Sequence, residues 1–124
     1  MTISTTMTKQ TSSTEKRQEI LEVVKGLNGT PENSELYDKM VSGMLYDPMD
    51  PVLLEIRLRT RGLVQDYNSM DTRSMQPDEA VERRLEVLRR LVGKIGEGTY
   101  IEPPFLPDYG CNISIGKNTF INWK

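Results

Sequence analysis

In the stretch "NISIGKNTFINW" the aliphatic Ile115 is followed six residues later by Ile121. A six-residue period with an aliphatic residue at its first position is the mark of a parallel β-helix. Three such units make one triangular coil, and the aliphatic side chains fill its axis. No other feature constrains the chain so much, because one repeat cannot bury its own apolar face and needs a neighbour stacked on it. The segment holds one hexapeptide and the start of another, so an ordinary hairpin stays open as the rival reading. After Gly98, "TYIEPPF" and "NISIGKNTFINW" are rich in β-branched and aromatic residues punctuated by Gly and Pro.

Before Gly98 the period is helical. From Arg17, the residues Ile20, Leu21, Val23, Val24 and Leu27 make one apolar face, ended by Gly26, Asn28 and Gly29. Asn33 or Ser34 caps a second helix carrying Leu36, Met40, Val41 and Met44 or Leu45, and Pro48 and Pro51 break the chain into turns. Asp50-Pro51 reads as an N-cap and N1 pair. It starts a helix to about Tyr67, with Leu53, Ile56, Leu63, Val64 and Tyr67 inward and Arg57 and Arg61 on another face. A loop, "NSMDTRSMQPDEA", leads to a helix opened by Pro77, Asp78 and Glu79, whose acids suit the positive end of the helix dipole. Its face is Val81, Leu85, Leu88, Val92 and Ile95, in alternating steps of four and three. Residues Met1 to Lys16, rich in Ser and Thr, read as a disordered tail. A transit peptide is the weaker alternative, since basic residues are few there.

Composition narrows the function. A length of 124 residues fits one domain, and a net charge of −2 gives no sign of a nucleic-acid partner. No apolar run is long enough to span a membrane, and the lone Cys111 fits a reducing compartment, hence a cytoplasmic expectation. The sequence contains no histidine. It thus lacks the usual general base near neutral pH and, with one cysteine, a Cys/His zinc site. No nucleophile–base pair can be assembled either, so a helical enzyme of another type is discounted.

Two stretches, taken in order, resemble one family. "YDKMVSGMLYDPMDPVLLEIRLRTRGLVQDYN" (Tyr37 to Asn68) is similar to the N-terminal helical module of the maltose and galactoside O-acetyltransferases, and "YIEPPFLPDYGCNISIGKNTFIN" (Tyr100 to Asn122) to the segment that leads into their β-helix. The resemblance runs from Leu36 to Asn122. It implies an α+β chain: a tail (1–16), a helical acetyltransferase module (17–98), and the first coil of a truncated left-handed parallel β-helix (99–124). Family members are homotrimers that move an acetyl group from acetyl-CoA to a sugar hydroxyl. A histidine and a CoA site lie on later coils. This chain has neither, so the resemblance implies no catalytic residue, no bound cofactor and no metal here.

The acceptor side is what the resemblance leaves. Its sugar contacts map onto the turn from Tyr46-Asp47 to Asp50, onto Arg57, onto Asp108 of "DYG" and onto Asn122 of "FIN", with Asp47 and Asp50 not distinguished. Carboxylates accept hydrogen bonds from hydroxyls, and Asn donates and accepts. Each residue also has a plainer role: Asp50 as an N-cap, the arginines at 57, 59 and 61 as a solvated face, Asp108 in a turn, and Asn122 on backbone groups. Cys111 reads as buried filler, and Tyr37, Tyr46 and Tyr67 as packing residues. The leading expectation is a member of the sugar O-acetyltransferase family carrying the acceptor-sugar side and inactive alone. The alternative is a non-catalytic module that pairs with a full-length relative. Either way, Tyr100 to Ile121 is expected to be extended but weakly held, on a single coil whose open edge promotes self-association.

Overall fold

The computed structural model describes residues 13–122. The expected tail lies mostly outside that range; inside it, the Ser13 N–H donates to the Gly43 carbonyl at 2.9 Å and Lys16 pairs with Glu35. Four helices come first, α1 (Gln18–Lys25), α2 (Glu35–Val41), α3 (Pro51–Asn68) and α4 (Pro77–Leu91). Four two-residue strands follow, β1 (Lys94–Ile95), β2 (Tyr100–Ile101), β3 (Ser114–Ile115) and β4 (Phe120–Ile121). A 3-10 turn at Gly110–Asn112 separates β2 from β3. Among the described residues no helix is long and apolar enough to cross a membrane.

Local chemistry sets the helix ends. Ser34, not Asn33, caps α2, its Oγ accepting from the Tyr37 N–H at 3.2 Å. The helix stops at Val41 because Gly43 turns left-handed (φ 78°) and the Met44 N–H reaches back to the Lys39 carbonyl. Met44 and Leu45 therefore leave the apolar face they were expected to extend, and Leu45 is exposed. In α1, Leu21 and Val24 are buried, but Val23 faces solvent; at 100° per residue a helix this short shows the core only one stripe. Asp50 caps α3, accepting from the Val52 and Leu53 N–H groups at 3.1 and 3.3 Å, with Pro51 at N1.

Two apolar clusters hold these elements. Val24, Tyr37, Leu53, Ile56 and Cys111 join α1, α2 and α3 to the 3-10 turn. Tyr67, Val87, Leu88, Leu91, Val92, Ile101 and Ile115 join α3 and α4 to the strands. The buried stripe of α4 runs through Arg84, Val87, Leu88 and Leu91, while Val81 is exposed. Val92 has left the helix for extended backbone, and Ile95 belongs to β1. The reading of Val92 and Ile95 as helical is thus corrected. Gly93 is the physical reason: its N–H donates to the Gly110 and Ile113 carbonyls, and a Cβ there would stand 2.1 Å from the Cys111 carbonyl oxygen.

β1 pairs with β3 and β2 with β4, both parallel, and both twenty residues apart: Lys94 with Ser114, Ile95 with Ile115, Tyr100 with Phe120, Ile101 with Ile121. This corrects the expectation of one coil without a neighbour. "IGEGTYI" (Ile95 to Ile101) is the stacked partner of "IGKNTFI" (Ile115 to Ile121), with Ile, Gly, Thr, an aromatic and Ile at matching places. The match continues in three dimensions. Gly98 and Asn118 both turn left-handed (φ 74° and 51°), the Thr99 hydroxyl donates to the Gly116 carbonyl at 2.6 Å, and the rings of Tyr100 and Phe120 stack at 6.1 Å. Ile101 and Ile115 are buried; Phe120 and Ile121 remain exposed. Trp123 lies outside the described residues.

Tyr67 ties the two halves, its hydroxyl donating to the Ile101 carbonyl while Arg84 donates to the Tyr67 carbonyl at 3.1 Å. Burial pushes the Tyr67 phenol up from 10.0 to about 12, against the pull of Arg84. Burial also raises Tyr37. A raised folded-state value means that stability is fully present below the unfolded pKa and is lost as pH rises through the folded one. Urea unfolding followed by circular dichroism should thus show a first loss of stability above pH 9, where Cys111, its thiol also raised by burial, begins to contribute, and a further fall between pH 10 and 12. Tyr67→Phe should lose its own share of that fall and keep the share that belongs to Tyr37.

Candidate functional site

Of the candidate residues, Asp47, Asp50, Arg57 and Asp108 fall along α3 and the two segments that meet it. At its start, Asp47 Oδ1 accepts from the Met49 N–H at 2.9 Å, closing a tight turn, and Asp50 Oδ2 takes both N-cap bonds. Each carboxylate therefore serves the backbone through one oxygen. Among the described residues, Asp47 Oδ2 and Asp50 Oδ1 carry no hydrogen bond and can accept from a ligand hydroxyl.

Arg57 lies seven residues beyond Asp50, on the same side of the helix. It is only 8% exposed, unlike Arg59 and Arg61, so one of the three alternating arginines is set apart from the solvated face. Its Nη1 donates to the Tyr109 hydroxyl, and its guanidinium carbon sits 5.7 Å from that ring's centroid. Among the described residues no carboxylate stands within ion-pair distance of it. A guanidinium has five donors, and a buried charge without a counter-ion is costly unless hydrogen bonds satisfy it. The group is thus held in place with donors to spare.

Next to this pair, Arg61 Nη2 stands 4.0 Å from Asp108 Oδ1, both side chains well exposed. The structure brings Arg57, Arg61, Asp108 and Tyr109 together on one flank of α3. Asn122 is exposed one residue past β4, and strand alternation puts it on the same side as Phe120. Tyr37 and Tyr67 are packing residues, as expected; Tyr46 is partly exposed on the turn beside Asp47. Cys111 is buried, and burial pushes its thiol up despite nearby Arg59, which makes it inert filler. Tyr109 joins the candidates through its contact with Arg57; its only signal in the sequence is the aromatic place in "DYG".

A sizeable cavity lies elsewhere. A cleft of about 800 Å³ opens between α1, α2 and the loop joining them, lined by residues such as Lys16, Lys25, Asn28, Glu32 and Asp38 and by none of the candidates. Among the described residues no set of His, Cys, Asp and Glu could hold a metal ion.

Comparison with known proteins points to one group. Residues 39–96 match the maltose acetyltransferase hexapeptide capping motif. A sophorolipid acetyltransferase of Starmerella bombicola is 34% identical over 103 residues, covering 81% of this chain and 39% of its own length. The galactoside O-acetyltransferase of Escherichia coli is 32% identical over 92 residues, 74% of this chain and 42% of its own. Nodulation protein L of Rhizobium meliloti is 36% identical over 87 residues, 70% of this chain and 44% of its own. Among solved structures, a galactoside acetyltransferase in complex with coenzyme A superposes with a TM-score of 0.61 at 30% identity, covering 73% of this chain and 42% of that one. The chain spans about two fifths of the length of these relatives.

Proposed function

Because this chain belongs, through its capping motif and the segment that follows, to the N-terminal part of the maltose and galactoside O-acetyltransferase family, we propose that it carries the acceptor-sugar side of an acetyl-CoA-dependent O-acetylation site. The observation that carries this reading is Arg57: buried, without a carboxylate partner among the described residues, and fixed by Tyr109 with donors still available. In this reading Asp47 or Asp50 accepts from sugar hydroxyls through its unused oxygen, Arg57 donates to a sugar oxygen, and Asp108 and Asn122 supply further polar contacts. The two stacked rungs are the opening of a left-handed β-helix.

The donor in this reading is acetyl-CoA, supported by the coenzyme A in the solved neighbour; it supplies the acetyl group as a thioester. The acceptor hydroxyl forms the new ester bond as the thioester bond breaks, and its proton must pass to a base. With no histidine in the sequence, this reading assigns the chain no general base. General-base loss alone typically lowers a rate by about 10²–10⁴-fold. Purified chain mixed with acetyl-CoA and maltose, a galactoside or glucose should release no coenzyme A above the uncatalysed rate. Sustained release would overturn the division of the site proposed here.

The exposed Phe120 and Ile121 on the outer rung also favour self-association or pairing with a longer relative.

A further inference from the structure

Asn68, the last residue of α3, reaches across thirty-seven positions to Phe105 and grips it twice. Its Nδ2 donates to the Phe105 carbonyl at 3.0 Å, and its Oδ1 accepts from the Phe105 N–H at 2.9 Å. From there the chain runs back along α3, passing Asp108 beside Arg61 and Tyr109 beside Arg57. Eleven residues of helix separate Asn68 from Arg57, about 16 Å along the axis. Four residue steps separate Phe105 from Tyr109, about 14 Å at full stretch. The strap bends at Asp108 and Tyr109, and the side chains of Arg57 and Tyr109 reach toward each other to close the remaining distance. Its far end is seated where Gly110 presses on the Leu91 carbonyl. With only four steps between the grip at Phe105 and the contact at Tyr109, the anchor limits which residue can meet Arg57.

We propose that Asn68 is a positioning residue of the acceptor side: by gripping both backbone groups of Phe105 it sets the register of the 105–109 strap and so holds Tyr109 against the Arg57 guanidinium. The inference rests on the acceptor reading above and deepens it. Asn68 itself touches no substrate in this account. It acts through Tyr109, which orients the donors that Arg57 offers to the sugar.

The test is hydrogen exchange of the Arg57 guanidinium in the isotope-labelled full chain, with the signal assigned by its loss in Arg57→Lys. Asn68→Ala removes both bonds and should speed Arg57 Nη–H exchange about tenfold or more. Asn68→Asp keeps the bond to the Phe105 N–H and loses the one to its carbonyl, and should fall between the two. Leu21→Ala, a buried position on α1 away from the strap, controls for general loss of stability and should leave the Arg57 signal unchanged. Unchanged exchange in Asn68→Ala would overturn the proposal, as would an equal effect in Leu21→Ala. Where Asn68→Ala does not fold, unchanged exchange in Asn68→Asp overturns it. A parallel titration of the unaltered chain with maltose or methyl galactoside reports separately on the acceptor reading: no shift at Arg57 would count against that reading and leave the exchange result standing.

Discussion

Gly110→Ala is expected to destabilise this protein by about 3 kcal/mol or more, at or beyond the upper end of ordinary overpacking. A Cβ at Gly110 would stand 2.0 Å from the Leu91 carbonyl oxygen and 3.0 Å from its carbon. Those are backbone atoms at the end of α4, and they cannot swing aside as a side chain could. The Gly110 carbonyl also accepts from the Gly93 N–H at 3.1 Å, so a shift large enough to relieve the clash strains the junction between helices and strands. Gly62 makes the matched control. It sits inside α3, and a methyl group added there would meet nothing within 4 Å, so Gly62→Ala should stabilise by roughly 0.5–1 kcal/mol. Urea titrations of the two variants should move in opposite directions.

Leu53→Ala should be nearly as damaging, at about 2–5 kcal/mol for a fully buried leucine. Leu53 is 0% exposed and belongs to the cluster that binds α1, α2 and α3 to the 3-10 turn. Domains of this size commonly have only about 5–15 kcal/mol in all. The variant should therefore melt far below the parent in a thermal scan. Leu58→Ala, at an exposed place on the same helix, should change little.

The helices are largely legible in the sequence because their signals are local. Asp50-Pro51 and Pro77-Asp78-Glu79 each declare a start within three residues, and α3 and α4 begin there. Ile95 misleads for an instructive reason. It continues the four-and-three spacing of α4 and also opens "IGEGTYI", and only the comparison with "IGKNTFI" twenty residues later separates the two. The internal repeat is there to be found. The special place of Arg57 is not, since its burial depends on Tyr109, fifty-two positions away, and on a strap whose register is set at Asn68. Among arginines at 57, 59 and 61 nothing local marks the first. Asp50 is legible as an N-cap, and that role leaves room for the proposed one: one carboxylate oxygen caps the helix and the other is unused among the described residues.

The central claim is that this chain binds an acceptor sugar through α3 and the segments on its flank. The most direct measurement is an amide-shift titration of the labelled chain with maltose and with methyl galactoside, repeated for Arg57→Ala. The account predicts saturable shifts gathered at the turn from Asp47 to Asp50, at Arg57, at Asp108 and Tyr109 and at Asn122, with affinity reduced about tenfold or more in Arg57→Ala through loss of a charged hydrogen bond. No saturable shift with either sugar, shifts gathered at the cleft between α1 and α2 instead, or equal affinity in Arg57→Ala would contradict it.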